Sequence, residues 1–140
     1  GTNVSEGRGT TQPFELFGAP YLNLEKIVAS IADDSIPGAV LRPVLFEPIA
    51  NKWQMQPCRG FQIHITDPQQ YRPYETSLRL LQAVIAQHKN VFEWKQPPYE
   101  YEYERLPMDL ILGDTCVREA IEAGTPIGDI VAGRNQRCKK

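Results

Sequence analysis

Twelve prolines in 140 residues constrain this chain more than any other feature. At an average usage of about 5% a chain of this length carries roughly seven. Each ring removes a backbone donor and locks φ, so long uninterrupted helices and strands are excluded and short elements joined by many loops are expected. With 41% hydrophobic and 23% charged residues, the chain has the size and composition of one globular domain with its own apolar core. Fifteen Lys and Arg against seventeen Asp and Glu leave a net charge of -2, which gives no basic field to hold a nucleic acid. The longest apolar runs, Ala39–Leu41, Val44–Phe46 and Leu110–Leu112, fall far short of the ~18 residues of a membrane span. The chain opens at Gly1 with neither an initiator Met nor a charged leader, so its natural beginning is expected to lie upstream.

Residues 1–11 hold three glycines and almost no apolar surface, so they read as a loop, anchored by Pro13, Phe14, Phe17 and Pro20. Asn23 is placed to cap a helix over about 23–34, with Leu24, Ile27, Val28 and Ile31 at helical spacing and Pro37-Gly38 as its stop. Val40–Phe46 is β-prone, but Pro43 assigns it to a sheet edge or a bulge. Phe61–Thr66 alternates strictly, with Phe61, Ile63 and Ile65 on one face and Gln62, His64 and Thr66 on the other, ended by Asp67-Pro68. The longest helix is expected from Glu75 to Asn90. Tyr99–Glu104 alternates Tyr and Glu and reads as a strand with one aromatic and one acidic face. After a short apolar run at 109–112, Asp114 or Thr115 caps a helix stopped by Gly124, and Thr125-Pro126 starts the last one, which ends in a basic tail. These elements make a single α+β domain of three or four helices and a small, mostly antiparallel sheet able to curl into a barrel-like form.

The densest chemistry lies in the opening loop, where Glu6 and Arg8 flank Gly7 among Ser5, Gly9, Thr10 and Thr11. A forked guanidinium beside a carboxylate suits a carboxylate-bearing or polyhydroxylated ligand, and glycines allow close backbone approach. The same residues also fit a solvated turn with a surface ion pair. Phosphate-loop and dinucleotide fingerprints are absent. His64 with Asp67 brings an imidazole near a carboxylate, although a strand histidine is ordinarily structural. His88 near a helix end is explained by the helix dipole. The tyrosine row offers rings for stacking sugars, while the usual half-buried strand would turn those rings onto the core. Cys58, Cys116 and Cys138 show no redox or zinc spacing, and neither a serine elbow nor a zinc-protease motif is present. Glu6, Glu15 and Asp67 are the carboxylates near the polar loops, and none is assigned as acid or nucleophile, because that depends on a separation between carboxylates.

The run Thr2-Asn3-Val4-Ser5-Glu6-Gly7-Arg8-Gly9-Thr10-Thr11, followed by Pro13-Phe14-Glu15 and Gly18-Ala19-Pro20, closely resembles the signature of the NamZ-type exo-β-N-acetylmuramidases. The likeness continues through Arg42-Pro43, Phe46, Cys58-Arg59-Gly60, Ile63–Asp67, Tyr71-Arg72-Pro73, Asp109-Leu110 and Gly113. The resemblance implies part of a two-domain glycoside hydrolase that releases terminal N-acetylmuramic acid from the non-reducing ends of peptidoglycan fragments. In such enzymes a Rossmann-like N-terminal domain carries the catalytic glutamate, and the cleft lies between it and a smaller C-terminal domain. On this likeness residues 1–20 are the cleft loop with its anchor, and 21–140 are the C-terminal substrate-binding domain. Ser5, Glu6, Arg8 and Thr10 match the cleft-lining loop, His64 and Asp67 match a second motif, and all six are expected to bind substrate. The implied partners are a peptidoglycan-derived sugar and the N-terminal domain, the implied compartment is the periplasm or exterior, and no cofactor or metal is implied. The alternative is a stand-alone carbohydrate- or protein-binding module; a purely structural interdomain element is a third reading.

Overall fold

The computed structural model describes residues 1–31 and 36–137, with side chains to Arg134. The expected end of the first helix at 32–34, Cys138 and the basic ending Lys139-Lys140 lie outside the described residues. In order, the elements are β1 (Leu16–Ala19), α1 (Leu24–Ile31), β2 (Ala39–Phe46), β3 (Cys58–Ile65), α2 (Pro73–Gln87), α3 (Pro107–Leu112), α4 (Thr115–Glu122) and α5 (Ile127–Arg137).

The three strands form an antiparallel sheet in the order β1-β3-β2, which stays open instead of curling into a barrel. Pro43 sits in β2 opposite Phe61, and its missing donor is tolerated because β2 is an edge strand. β3 is central, so Phe61 is fully buried. Towards its end the cover runs out and Ile65 is 53% exposed. On the opposite face Gln62 is buried, accepting from Arg42 Nη2 and donating to Glu15 Oε2.

Local chemistry starts and stops the helices. Asn23 Oδ1 accepts from Lys26 N, and Asp114 Oδ1 accepts from Cys116 N, each satisfying an amide of a first turn. Prolines occupy the first turns of α2 and α3, where the missing N–H has no helical role. The apolar run at 109–112 is α3, a fifth helix. Gly113, left-handed at φ 79°, ends it.

The core has two clusters that meet at α2. Ala83 and Val84 pack with Ala19, Leu22, Ile27 and Phe61 between the sheet and α1. Leu78 packs with Met108, Leu112, Val117, Ile121, Ile127 and Ile130 from α3, α4 and α5. A fully buried aliphatic or aromatic side chain contributes roughly 1.5–3 kcal/mol, so α2, facing both clusters, is the rod that fixes their relation.

Tyr99–Glu104 is not a strand. The Tyr99 and Glu102 amides and carbonyls bond reciprocally at 2.9 and 3.0 Å, closing a tight turn with Glu100 at φ 53°. The Glu102 carboxylate then accepts from the Glu104 and Arg105 amides. A period of two needs a neighbouring strand to become sheet, and here the local bonds satisfy the backbone instead. Tyr101 and Tyr103 consequently project outward, 94% and 72% exposed.

Candidate functional site

The opening segment is built into the body of the fold. Ser5 and Gly18 exchange both backbone bonds, at 2.8 and 2.9 Å, and Thr2 bridges Trp94. The loop then folds on itself: Ser5 Oγ accepts from Gly7 N, Thr10 Oγ1 donates to Gly7 O at 2.6 Å, and Phe14 N donates to Glu6 O at 2.8 Å. Gly9 holds φ +79°, and a Cβ there would sit 2.4 Å from Ile49 Cγ1, so only glycine lets the two loops touch.

The second loop, between β2 and β3, carries a residue that sequence reasoning missed. Lys52 Nζ donates to Val4 O at 3.0 Å and to Glu6 Oε2 at 2.8 Å, while Trp53 Nε1 donates to Asn3 O. The other Glu6 oxygen accepts from Arg8 Nε at 2.6 Å, and the Arg8 guanidinium lies 5.1 Å from the centre of the Phe14 ring. Glu6 is thus held between two cations, one from its own turn and one from 46 residues away. No sequence motif links the two, and only the fold brings Lys52 in.

Among the described residues, the non-glycine positions with positive φ are Phe14, Asn51, Trp53, Met55 and Glu100. Phe14 stacks under Arg8, three surround Lys52 in its loop, and Glu100 follows Tyr99. Such conformations cost of order 1–3 kcal/mol each and tend to gather where function fixes geometry.

These loops border an open cavity of about 510 Å³. Ser5, Glu6, Arg8 and Lys52 supply its polar wall, α2 contributes Leu80, Leu81 and Val84, and α3 contributes Met108 and Ile111. Phe14, Phe17, Ile63, Lys95 and Tyr99 complete much of the rest. The cavity therefore lies at the seam of the two core clusters, over α2. An apolar floor with a few convergent polar groups is what a small-molecule site needs to bury a ligand and orient it.

Burial pushes the Glu6 carboxyl up, but hydrogen bonds from Lys52 and Arg8 and the Lys52 charge prevail and bring it down to about 2. At neutral pH it is an anion with no proton to donate. It can accept hydroxyl hydrogen bonds and orient the two cations. Arg8, 48% exposed at its side chain, keeps its terminal nitrogens without a partner among the described residues, so its fork is open to a carboxylate.

Of the six residues expected to bind substrate, Ser5, Glu6 and Arg8 line the cavity. Thr10 lies behind them and holds the Gly7 turn. His64 and Asp67 are outside the cavity lining: His64 is exposed on β3 opposite Val40, and Asp67 accepts from Gln69 N and Gln70 Nε2 in the turn before α2. His88 accepts from Asn23 N through Nε2 and so joins α2 to the start of α1. The Cys58 thiol is buried and pushed up to about 11. Among the described residues no three His, Cys, Asp or Glu side chains gather where they could hold a metal ion, and no helix is long and apolar enough to cross a membrane.

Comparison with known proteins gives this geometry a context. The chain is 31% identical over 131 residues, 94% of its length, to the peptidoglycan beta-N-acetylmuramidase NamZ of Bacillus subtilis (strain 168). It spans about 30% of the length of that relative. Among solved structures it is similar to a DUF1343 family protein from Bacteroides fragilis NCTC 9343, with a TM-score of 0.58 and 27% identity over 63% of this chain and 23% of the other. The family model described as exo-beta-N-acetylmuramidase NamZ, C-terminal, matches residues 1–140, and the chain belongs to that family.

Proposed function

We propose that this chain is the substrate-binding C-terminal part of a peptidoglycan-degrading glycoside hydrolase, which releases terminal N-acetylmuramic acid from the non-reducing ends of cell-wall fragments. Membership of the NamZ C-terminal family supports the activity class. The observation that carries the reading is the convergence of Glu6, Arg8 and Lys52 on one wall of an otherwise largely apolar cavity. In this reading the open fork of Arg8 takes the lactyl carboxylate that distinguishes muramic acid from glucosamine. Glu6 fixes that fork through Nε and accepts from a sugar hydroxyl, while the sugar's apolar face lies against the cavity floor.

Glu6, ionised at neutral pH, orients groups and does not serve as the general acid. The reacting carboxyl groups belong to the remainder of the protein, which forms the opposite wall, so this part alone is inactive. The His64–Asp67 pair contributes at a more distant edge. In this reading the enzyme works in the periplasm or outside the cell, where such a substrate is met.

Arg8→Ala in the full-length protein tests the assignment. Discrimination between muramic acid and glucosamine ends should fall by about tenfold to a hundredfold in kcat/KM, the range for one charge-assisted hydrogen-bonding group. Unchanged discrimination would sink it.

A further inference from the structure

The charges on the polar wall do not balance. Glu6 offers one carboxylate to two cations: Oε1 accepts from Arg8 Nε at 2.6 Å, and Oε2 accepts from Lys52 Nζ at 2.8 Å. An Arg8–Glu6 pair by itself would be neutral, and Lys52 leaves the cluster with a surplus positive charge. The two cations differ in how they are committed. Lys52 Nζ also donates to Val4 O at 3.0 Å, and its side chain is 21% exposed. Arg8 is the outer member, with its side chain half exposed. Partly buried charges this close are weakly screened by salt, so the surplus is felt in the cavity that all three residues line.

The β2–β3 loop presents Lys52 through contacts that do not involve Glu6. Next to it, Trp53 Nε1 donates to Asn3 O, and the Trp53 ring meets Tyr21 edge-on at 6.0 Å. Met55 N donates to Pro48 O at 2.8 Å. On either side of Lys52, Asn51 and Trp53 hold φ of 68° and 56°. Such backbone conformations are costly for residues other than glycine, and here they place an ammonium against the one carboxylate of the polar wall.

We propose that Lys52 is a specificity-determining residue that acts through Glu6: it offsets the Glu6 carboxylate, so that the charge of Arg8 is left for an anionic ligand. The inference rests on the muramic acid reading, in which the Arg8 fork takes the lactyl carboxylate. Without Lys52, Glu6 and Arg8 would neutralise each other, and a ligand carboxylate approaching the fork would meet the Glu6 anion as well. If this is the role of Lys52, the defect caused by removing its charge is repaired by removing the Glu6 charge too. Glutamine at position 6 still offers an oxygen to Arg8 Nε, so the fork keeps its orientation while the repelling anion is gone.

The test uses the full-length protein and two substrates, one ending in muramic acid and one in which the lactyl carboxylate of that end is reduced to the alcohol. The readout is the ratio of their kcat/KM values, which cancels contacts common to both. The wild type should favour the acidic end by at least about tenfold. Lys52→Gln, which keeps a donor but loses the charge, should lower that ratio about tenfold, and Lys52→Arg should keep most of it. Lys52→Gln combined with Glu6→Gln should regain most of the wild-type ratio, an outcome that a lysine merely bracing the loop would not produce. Glu6→Gln alone should hold the ratio or raise it. The inference is overturned by an unchanged ratio in Lys52→Gln, by a double variant no better than Lys52→Gln, or by a fall in Glu6→Gln. A wild-type ratio of one would instead overturn the muramic acid reading on which it rests.

Discussion

Arg118 and Arg8 each donate through Nε to a carboxylate oxygen at 2.6 Å, yet their surroundings differ. Arg118 is 14% exposed and its partner Asp109 7% at the side chain. Arg118 Nη1 also donates to Glu122 Oε1 at 3.1 Å, and the same oxygen accepts from Trp94 Nε1 at 2.6 Å. This cluster ties α3 to α4 and to the strand-like stretch that holds Thr2, with both ends of the guanidinium occupied. The Arg8 cluster is more open: its side chain is half exposed, its terminal nitrogens are uncommitted, and its neighbours sit on loops with left-handed residues. The first arrangement uses its hydrogen bonds to hold elements together. The second holds one carboxylate firmly and leaves donors facing a cavity.

Breaking the closed cluster has the largest expected effect. Arg118→Met leaves the Asp109 carboxylate buried without its cation, which should cost about 3 kcal/mol, seen as a lower urea midpoint with an unchanged slope. Affinity for acidic sugar, measured on the folded fraction, should change little, because Arg118 is absent from the cavity wall. A loss under about 0.5 kcal/mol would erase the distinction between the clusters.

Acid sharpens the contrast from the other side. Glu6 titrates near 2 in the folded protein against an ordinary 4.5, so its ion pairs stabilise the fold fully above the unfolded value. That contribution fades as pH falls from about 5 towards 2. Glu6→Gln should remove this part of the acid limb, so that wild type and variant converge in stability below pH 2 and diverge above 5. Urea midpoints taken at half-unit pH steps give the two curves. Parallel curves over that range would mean that the Lys52 and Arg8 contacts contribute nothing to folding.

Much of this arrangement is legible in the sequence. The alternation of Phe61–Ile65 marked the central strand, Pro43 its edge partner, and the caps Asn23 and Asp114 two of the helix starts. These signals are local, and the backbone obeys them locally. The opening loop stood out because Glu6, Arg8 and three glycines sit within nine residues. What escaped reading depended on distant partners. Lys52 meets Glu6 only because the β2–β3 loop doubles back over the opening segment. Gln62 is buried only because Arg42 and Glu15 arrive from the neighbouring strand and loop to satisfy its amide. The tyrosine row misled for the complementary reason: its period was correct for a strand, but among the described residues no partner strand lies beside it.

The smallest effect is expected from removing Arg8 itself. Its bond to Glu6 is a half-exposed ion pair, and its contact with Phe14 is to a ring that is 68% exposed; each contributes about 1 kcal/mol or less in such settings. Glu6 keeps its Lys52 partner in the variant, so no buried charge is stranded. Arg8→Ala should therefore lower stability by less than about 1 kcal/mol in the same urea titration that registers the Arg118 loss. The two substitutions should add when combined, since the residues share no partner. A loss from Arg8→Ala as large as that from Arg118→Met would mean that the loop depends on Arg8 to fold, and the open guanidinium would then be explained by structure rather than by a ligand.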